Sequence, residues 1–320
     1  MPKKTIFSGR WGVRWTIQKR RFFEQHLVMT TWKRDLLARV LNLEMVDAET
    51  MAFAAGKEPC VMIPSHTPVL DAHAQLSFRR CLEVFSRRTI ILVVPEGMDT
   101  SAYHRIGSNF AEERVPAGWQ SSLKAYNRMK CSFDFYQKFQ NYSHILTYEL
   151  DAYAFRDELD LWCGKPYDYI GAPWFARFSE ATADDPMTAV GNSGFSLRRL
   201  ASCLTVTRFW EDALGALHRP GLSPLVKWPL SYLDHLQTVA EDVFWSRYAG
   251  IACPSFSIAP LEEARKFSFE VNPAVLYEMN GRSLPFGCHK WFLYDPEFWG
   301  PFIGGPEESR ASGDVSAVAA

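Results

Sequence analysis

Short apolar runs alternate with helix-like patterns through the middle of the chain. Five apolar runs bounded by polar or turn-forming residues are predicted strands, at 60–64, 89–94, 144–150, 167–170 and 194–197. Apolar residues at helical spacing predict helices over 70–85, 121–139 and 232–248. Strands joined by crossover helices are typical of α/β proteins, so we predict one mixed, mostly parallel sheet flanked by helices.

The residues that follow the predicted strands are the first candidates for a binding site. Ligands of open α/β sheets bind beyond the carboxyl ends of the strands. Ser65 and His66 follow the first predicted strand, Pro95 and Glu96 follow the second, and Asp151 follows the third. We therefore expect a functional site at this edge of the sheet.

The two ends of the chain differ from its middle. Residues 1–39 contain ten Lys or Arg and two acidic residues, with aromatic side chains between them. This pattern fits an amphipathic helix packed on the domain, or a segment that lies on an anionic membrane surface. Small and polar residues dominate the other end. We divide the chain into a basic helical segment (1–50), one catalytic domain (51–303) and a disordered tail (304–320).

The composition limits the classes of function. Hydrophobic residues make up 47% and charged residues 22% of the 320 residues, as in globular proteins with a large core. The 35 basic residues nearly balance the 36 acidic ones, which leaves no electrostatic footprint for nucleic acid. Seven cysteines without a CxxC pair indicate reduced thiols and a cytoplasmic location. No apolar run reaches the roughly 18 residues of a membrane span.

One pair of fragments resembles glycerolipid acyltransferases, in which a His/Asp pair activates an acceptor hydroxyl. His66 and Asp71 form an HxxxxD pattern, and PEG follows at 95–97. The arginine-bearing block expected between such fragments is absent. The alternative is that His66 is a loop residue and that Asp71 interacts with the positive end of the next helix.

A longer set of motifs carries a second resemblance. The segment 126–174 contains HILTYELD and YIGAPW, and GNSGFSLR at 191–198, EDVFW at 241–245 and PFGCHKW at 285–291 follow in order. This ordered set resembles a family of bacterial and fungal proteins assigned as glycosyltransferases mainly from sequence. It is also distantly similar to the β-1,3-galactosyltransferase and fringe group of GT-A enzymes. The resemblance covers about 60–291. It implies a GT-A-like domain that transfers sugar from a nucleotide donor, UDP-sugar above all, to a hydroxyl of a glycan or lipid-linked glycan.

The resemblance also implies a metal site. Glu149-Leu-Asp151 corresponds to the DxD motif of GT-A enzymes, and its Asp151 is the expected ligand of Mn²⁺ or Mg²⁺. A divalent cation bound by hard oxygen ligands neutralises the charge of the nucleoside diphosphate that leaves. Glu149 replaces the first aspartate, so it is expected to contact the donor's ribose instead. His289 is the expected late contact to the metal or the diphosphate.

The acceptor hydroxyl needs a general base. Asp242 matches the acidic pair that supplies this base in inverting GT-A enzymes, and Glu241 is expected to orient it. A carboxylate with its ordinary pKa near 4 is ionised at neutral pH and accepts a proton as the new bond forms. A base opposite the leaving diphosphate implies inversion at the anomeric carbon. The alternative is that both side chains lie on an exposed helix face.

Further residues are expected to contact the two substrates. Small residues allow close approach of a ligand to the backbone, amides and hydroxyls bond sugar hydroxyls, and an aromatic ring stacks on a pyranose. The expected donor contacts are Pro64, Ser65, His66, Tyr126, Asn127, Arg128 and Glu149, and the expected acceptor contacts are Gly171, Trp174, Asn192, Ser193 and Gly194. The alternatives are a plain turn for 191–194 and a core position for Trp174. A protein that binds the nucleotide sugar without consuming it also remains an alternative.

Overall fold

The computed structural model describes residues 58–221, 223–224 and 239–304. The predicted basic segment (1–50), most of the predicted tail and residues 232–238 of the third predicted helix lie outside the described residues. None of the helices in the described ranges is long and apolar enough to cross a membrane.

A six-stranded sheet forms the centre of the described chain. Its order is β3-β2-β1-β4-β9-β6, with parallel pairing among β1 to β4 and antiparallel pairing of β9 with both of its neighbours. The bounds of these strands are β1 Cys60–Pro64, β2 Thr89–Pro95, β3 Ala111–Val115, β4 His144–Tyr148, β6 Tyr169–Ile170 and β9 Phe195–Arg199. The predicted mixed, mostly parallel sheet is confirmed.

Helices cover both faces of this sheet. Their bounds are α1 Ala72–Val84, α2 Ser101–His104, α3 Leu123–Met129, α4 Phe133–Gln137, α5 Leu159–Cys163, α6 Leu200–Leu217, α7 Glu241–Val243, α8 Ala249–Ala252, α9 Leu261–Phe267, α10 Pro273–Met279 and α11 Pro296–Trp299. A π-helical turn, Phe244–Tyr248, connects α7 to α8, and 3-10 turns lie at Ala117–Gln120 and Phe178–Glu180.

The central strands are buried on both faces. All five residues of β1 and of β4 are buried. Their side chains alternate between two hydrophobic clusters: Met62 packs with α4 and α6, whereas Val61 packs with α1. Helices on both faces explain why these strands are continuous apolar runs without polar alternation.

Two small sheets extend the central one at its carboxyl edge. β5 (Ala152–Ala154), β10 (Ser268–Phe269) and β11 (Gly287–His289) form the order β10-β11-β5, and β7 (Pro173–Phe175) pairs with β8 (Met187–Val190). β5 begins four residues after β4 ends, so the chain passes from the central sheet into the second sheet through residues 149–151. This connection places the ELD motif between the two sheets.

The five predicted strands and the first predicted helix are confirmed with differences at their ends, whereas the edge strand β3 was not predicted. The helix predicted over 121–139 is two short helices, α3 and α4, and Ser122 accepts the Ala125 N–H as the cap of α3. The third predicted helix begins at Glu241 in the described region. The 18-residue helix α6 was not predicted. Twelve of its residues are buried, so it lacks the polar face by which an amphipathic helix is recognised.

Candidate active site

The turn after β4 places two carboxylates at the carboxyl edge of the central sheet. The Glu149 N–H donates to the Gly194 carbonyl at 2.8 Å, and the Ala152 N–H donates to the Glu149 carbonyl at 2.8 Å. The Lys290 N–H donates to the Asp151 carbonyl at 2.8 Å. Backbone hydrogen bonds to two different strands and their extensions thus fix the position of Glu149 and Asp151.

Strand β11 brings a histidine to the same place. It pairs antiparallel with β5, with His289 opposite Ala152. His289 Nε2 lies 2.9 Å from Asp151 Oδ1 and 3.6 Å from Glu149 Oε2. One ligand atom from each of the three side chains lies within 4.8 Å of the others. His289 is only 3% exposed, and the two carboxylates are half-buried.

The chemistry of this cluster fits a divalent cation. Two carboxylates and an imidazole are ligands that Mn²⁺ and Mg²⁺ accept. Asp151 Oδ1 and both ring nitrogens of His289 are buried, yet none of these three atoms has a hydrogen-bond partner of acceptable geometry among the described residues. Buried polar atoms are normally satisfied, and Asp151 Oδ1 and His289 Nε2, which face each other, fit ligation of a cation. Asp151, His289 and Glu149 are therefore the residues that would hold a metal. The sequence predicted a donor contact for Glu149, whereas its position beside His289 also places it to bind the cation.

The carboxylates determine the protonation of His289 when no cation is bound. Burial lowers the pKa of His289, but Asp151 and then Glu149 and Glu270 outweigh it, and the pKa lies well above its ordinary value. A cation that binds Nε2 therefore has to displace a proton.

Glu149 is held by two residues of the α3 region. Tyr126 Oη donates to Glu149 Oε1 at 2.7 Å, and Lys130 Nζ donates to the same oxygen at 3.1 Å. Burial raises the pKa of Glu149, but Lys130 and His289 outweigh it and hold the pKa well below its ordinary value. Glu149 is consequently ionised, with Oε1 engaged by the protein and Oε2 facing His289.

Lys130 connects Glu149 to the acidic pair of the EDVFW motif. Its side chain is fully buried, and Nζ lies 3.6 Å from Glu241 Oε2. Glu241 is 1% exposed and forms an ion pair with the buried Arg198. Its N–H donates to Asn127 Oδ1 at 3.1 Å. Glu241 thus anchors the start of α7 inside the protein, and its side chain does not face an open cleft.

Asp242 lies next to this anchor and has an altered acidity. It is half-buried, and Val243 N–H donates to its Oδ1 at 2.8 Å. Burial, followed by the charge of Glu241, raises the pKa of Asp242 to about 6. The ordinary pKa near 4 that was expected from the sequence does not hold, because the carboxyl group is buried.

Two charged residues beside the Asp151 cluster act on the pKa of Asp242. Glu270 raises the pKa of Asp242 and Lys290 lowers it. Lys290 also interacts with Asp151, which helps to raise the pKa of Lys290 above its ordinary value against the effect of burial. Asp151 and Asp242, from distant parts of the chain, are therefore both within electrostatic reach of Lys290.

Glu270 is a site residue that the sequence analysis missed. It follows β10 directly, and its Oε1 lies 3.2 Å from both His289 Nδ1 and Lys290 Nζ. Asn192 Nδ2 donates a short hydrogen bond to its other oxygen. A two-residue strand offers no periodicity, so only the mixed polarity of SFEV hinted at a strand end here.

The predicted donor residues have diverse surroundings. Pro64 is buried at the end of β1, and Ser65 is buried with its hydroxyl 2.6 Å from that of Tyr103. His66 and Arg128 are exposed. Tyr126 donates a hydrogen bond to Glu149, and Asn127 accepts one from the Glu241 N–H, as described above. Both residues therefore hold other residues of the site in position. Donor contacts by these residues remain predictions.

The predicted acceptor residues build a tightly packed turn. A Cβ on Gly171 would lie 2.0 Å from the Gly191 carbonyl oxygen, and a Cβ on Gly191 would lie 1.9 Å from the ring of the buried Trp174. Asn192 has a left-handed backbone (φ 71°), and its Oδ1 accepts the Gly194 N–H at 2.9 Å. The small residues therefore make room for other protein groups. Ser193 is half-buried.

The His66/Asp71 pair has no catalytic arrangement. Asp71 Oδ1 accepts the Ala74 N–H at 2.8 Å and caps α1, as the helix-end interpretation predicted. His66 is exposed, and no hydrogen bond joins it to Asp71 within the described part of the chain. The geometry does not support the acyltransferase alternative.

Fold and site together define an α/β protein with two carboxylates and a histidine gathered at the carboxyl edge of its central sheet. Residues 109–289 match the profile of a family described as "Protein of unknown function (DUF5672)". The match covers more than half of the chain, and the chain belongs to this family. No curated protein matches the sequence.

Several solved structures are similar to this chain. One is the galactosyltransferase LgtC in complex with donor and acceptor sugar analogues, with a TM-score of 0.42 and 11% identity over 72% of this chain and 86% of that chain. An active-site mutant of LgtC has a TM-score of 0.38 and 11% identity over 72% and 86%. The bifunctional glycosyltransferase WbbM in its apo form has a TM-score of 0.39 and 11% identity over 73% of this chain and 46% of that chain.

Proposed function

We propose that this protein is a metal-assisted glycosyltransferase that moves a sugar from a nucleotide donor to a hydroxyl group. The observation that carries the proposal is the convergence of Glu149 and Asp151 with His289, from strands far apart in sequence, at one edge of the sheet. Asp242, with its pKa near neutrality, lies within electrostatic reach of the same group. The ordered motifs of the sequence indicate the same class.

The metal ligands in this proposal are Asp151, His289 and Glu149, and the ion is Mn²⁺ or Mg²⁺. The bound cation supplies positive charge that stabilises the leaving nucleoside diphosphate. Tyr126 and Lys130 occupy one oxygen of Glu149 and orient the other toward the site. Lys290 is a partly exposed, positively charged side chain beside Asp151 and Glu270. Its positive charge adds to that of the metal ion.

Asp242 is the general base in this scheme. Its carboxylate takes the proton of the acceptor hydroxyl while the oxygen forms a bond to the anomeric carbon and the bond to the diphosphate breaks. A pKa of about 6 keeps most Asp242 ionised at neutral pH and makes it a stronger base than an ordinary aspartate. Attack on the face opposite the leaving group inverts the anomeric carbon.

The substrate class follows from the resemblance of the motifs. We propose UDP-sugar as the donor and a glycan or lipid-linked glycan as the acceptor. The predicted cytoplasmic location agrees with such a donor. If residues 1–39 contact an anionic membrane rather than pack on the domain, they would bring the site close to a lipid-linked acceptor.

A binding and turnover series tests the proposal. Nucleotide sugars are titrated calorimetrically with and without Mn²⁺, and nucleotide release is measured in parallel, for the wild type, Asp151→Ala, Asp242→Asn and the exposed control Asp212→Asn. We expect Asp151→Ala to weaken donor binding at least tenfold. Asp242→Asn is expected to bind donor normally and to lose transfer.

The possible outcomes distinguish the alternatives. Equal donor binding by the wild type and Asp151→Ala would contradict the metal role. Donor binding by the wild type without nucleotide release over an acceptor panel would favour the non-catalytic alternative. His66→Ala is expected to leave transfer unchanged, whereas an acyltransferase would lose its activity.

A further inference from the structure

The register of the second sheet places Glu270 directly beside His289. β10 and β11 are parallel, with Phe269 opposite Cys288. The next residues along the two strands, Glu270 and His289, are therefore neighbours, and side chains of paired residues in parallel strands point to the same face. Both side chains are buried, at 9% and 3% exposure.

Both oxygens of Glu270 are engaged by other groups of the protein. His289 Nδ1 and Lys290 Nζ each lie 3.2 Å from Oε1, and Asn192 Nδ2 donates to Oε2. Three nitrogens thus surround one carboxylate. The role of Glu270 is consequently exerted through these neighbours.

The neighbour that matters most is His289, since its two ring nitrogens face different partners. Nε2 faces Asp151 and Glu149, and Nδ1 faces Glu270. An imidazole that binds a cation through Nε2 must carry its proton on Nδ1. The Glu270 carboxylate, 3.2 Å from Nδ1, favours that tautomer.

We propose that Glu270 is the positioning residue of His289: it holds the imidazole with Nε2 directed at Asp151 and Glu149, ready to bind a divalent cation. This inference rests on the proposed function, because it assigns Glu270 to the same metal site. The cation itself is bound by His289, and Glu270 acts from the opposite side of the ring.

The turn at 191–194 supports the position of Glu270. The left-handed backbone of Asn192 directs Nδ2 to Glu270 while Oδ1 accepts the Gly194 N–H. Gly194 in turn leaves the space that the His289 ring fills. The GNSG motif thus contacts both members of the Glu270–His289 pair, which explains its residue types without any ligand.

Metal affinity is the measurement that tests the proposal. Mn²⁺ alone is titrated calorimetrically into the full chain as wild type, Glu270→Met and Glu270→Gln, with Glu278→Met and Glu278→Gln as controls. Glu278 is exposed and pairs with Arg282 on the surface. We expect Glu270→Met to weaken Mn²⁺ binding 10- to 100-fold. Glu270→Gln is expected to weaken it about tenfold, because an amide offers one acceptor to three donors. The Glu278 variants should match the wild type.

A double-mutant cycle separates positioning from a general loss of structure. If Glu270 acts through His289, Glu270→Met causes no further loss of Mn²⁺ affinity in the His289→Ala background. Losses that add in the cycle would overturn the proposal, as would wild-type affinity in Glu270→Gln. If Glu270→Met does not fold, the nearly isosteric Glu270→Gln variant tests the proposal in its place.

The result also separates this inference from the proposed function. A wild type that binds Mn²⁺ tightly, together with unaffected Glu270 variants, would overturn the positioning role alone. A wild type that binds no Mn²⁺ would overturn both this inference and the metal part of the proposed function. Nitrogen NMR of the wild type loaded with diamagnetic Mg²⁺ should show His289 protonated at Nδ1.

Discussion

The imidazole of His289 occupies the space that a side chain at position 194 would need. A Cβ built on Gly194 would lie 1.9 Å from His289 Nε2, which is the atom that faces Asp151. Contacts below 3.0 Å force a displacement. The ring is buried and held on its other side by Glu270, so it has little room to move.

Gly194→Ala should therefore destroy the metal site while preserving most of the fold. The added methyl group pushes Nε2 away from Asp151, and we expect at least a tenfold loss of Mn²⁺ affinity by calorimetry. Gly215→Ala is the matched control, because Gly215 lies on the exposed face of α6 with nothing within 4 Å. It should bind Mn²⁺ normally and gain up to about 1 kcal/mol from helix propensity. Equal affinity of both variants would contradict this account.

Lys130→Met should strongly destabilise the protein. The fully buried Lys130 ammonium lies between Glu149 and Glu241, and its removal leaves the half-buried Glu149 and the buried Glu241 short of a partner. Breaking a buried ion pair by removal of one partner costs about 3–5 kcal/mol. Lys124→Met, on the exposed side of the same helix, should change the unfolding free energy by at most about 0.5 kcal/mol. Urea denaturation of both variants checks this, and similar midpoints would refute it.

The transfer rate should depend on the ionisation of Asp242. With a pKa of about 6, Asp242 is ionised above this pH and protonated below it. Under saturating Mn²⁺ and donor, kcat should be constant at high pH and fall about tenfold per pH unit below about 6. Saturating Mn²⁺ is needed because protonation of His289 at low pH also weakens metal binding, which would lower the rate independently of Asp242. A profile that stays level down to pH 4.5 would exclude Asp242 as the base.

Asp242→Asn should make the protein more stable at neutral pH. The folded-state pKa of about 6 lies above the ordinary value of 3.8, so the unfolded state releases its proton first as the pH rises. Ionisation thus favours unfolding, and the stability lost between about pH 4 and 6 amounts to roughly 1–3 kcal/mol. The variant should gain this amount at pH 7 and nothing near pH 3. A stability difference that is independent of pH would argue against the raised pKa.

The basic N-terminal segment should bind anionic vesicles if it contacts a membrane. Each basic residue near an anionic surface contributes about 1 kcal/mol. Neutralisation of Lys19, Arg20 and Arg21 to Gln in the full chain should therefore reduce the affinity for anionic vesicles, measured by co-sedimentation, by about two orders of magnitude and leave binding to neutral vesicles unaffected. Identical binding of variant and wild type would favour the packed-helix interpretation.

The fold was predictable because its strongest signals are local. β1, β2 and β4 are continuous apolar runs since helices cover both faces of the sheet, and such runs are visible in the sequence. Helix α6 escaped prediction because burial on most sides removed its polar face. The strands β5, β10 and β11 are two or three residues long, too short for any periodicity.

The candidate site was predictable only in part. Asp151 could be located because it ends a recognisable strand, and Asp242 and His289 because they stand in an ordered set of motifs. Glu270 belongs to none of these motifs, and its role follows from the pairing of β10 with β11. The side chain of Glu241 was expected next to the base, yet Lys130 and Arg198 hold it inside the protein.

Local pattern alone determined five of the six segments of the central sheet and which carboxylate follows its strand β4, since both depend on residues close together in the chain. The tertiary structure decided which polar groups meet. It placed Glu270 next to Nδ1 of His289 and raised the pKa of Asp242. It also packed the His289 ring against position 194, which leaves no room for a side chain larger than that of glycine. These properties arise from burial and from charges brought together across long stretches of chain, and neither quantity is a property of any short segment.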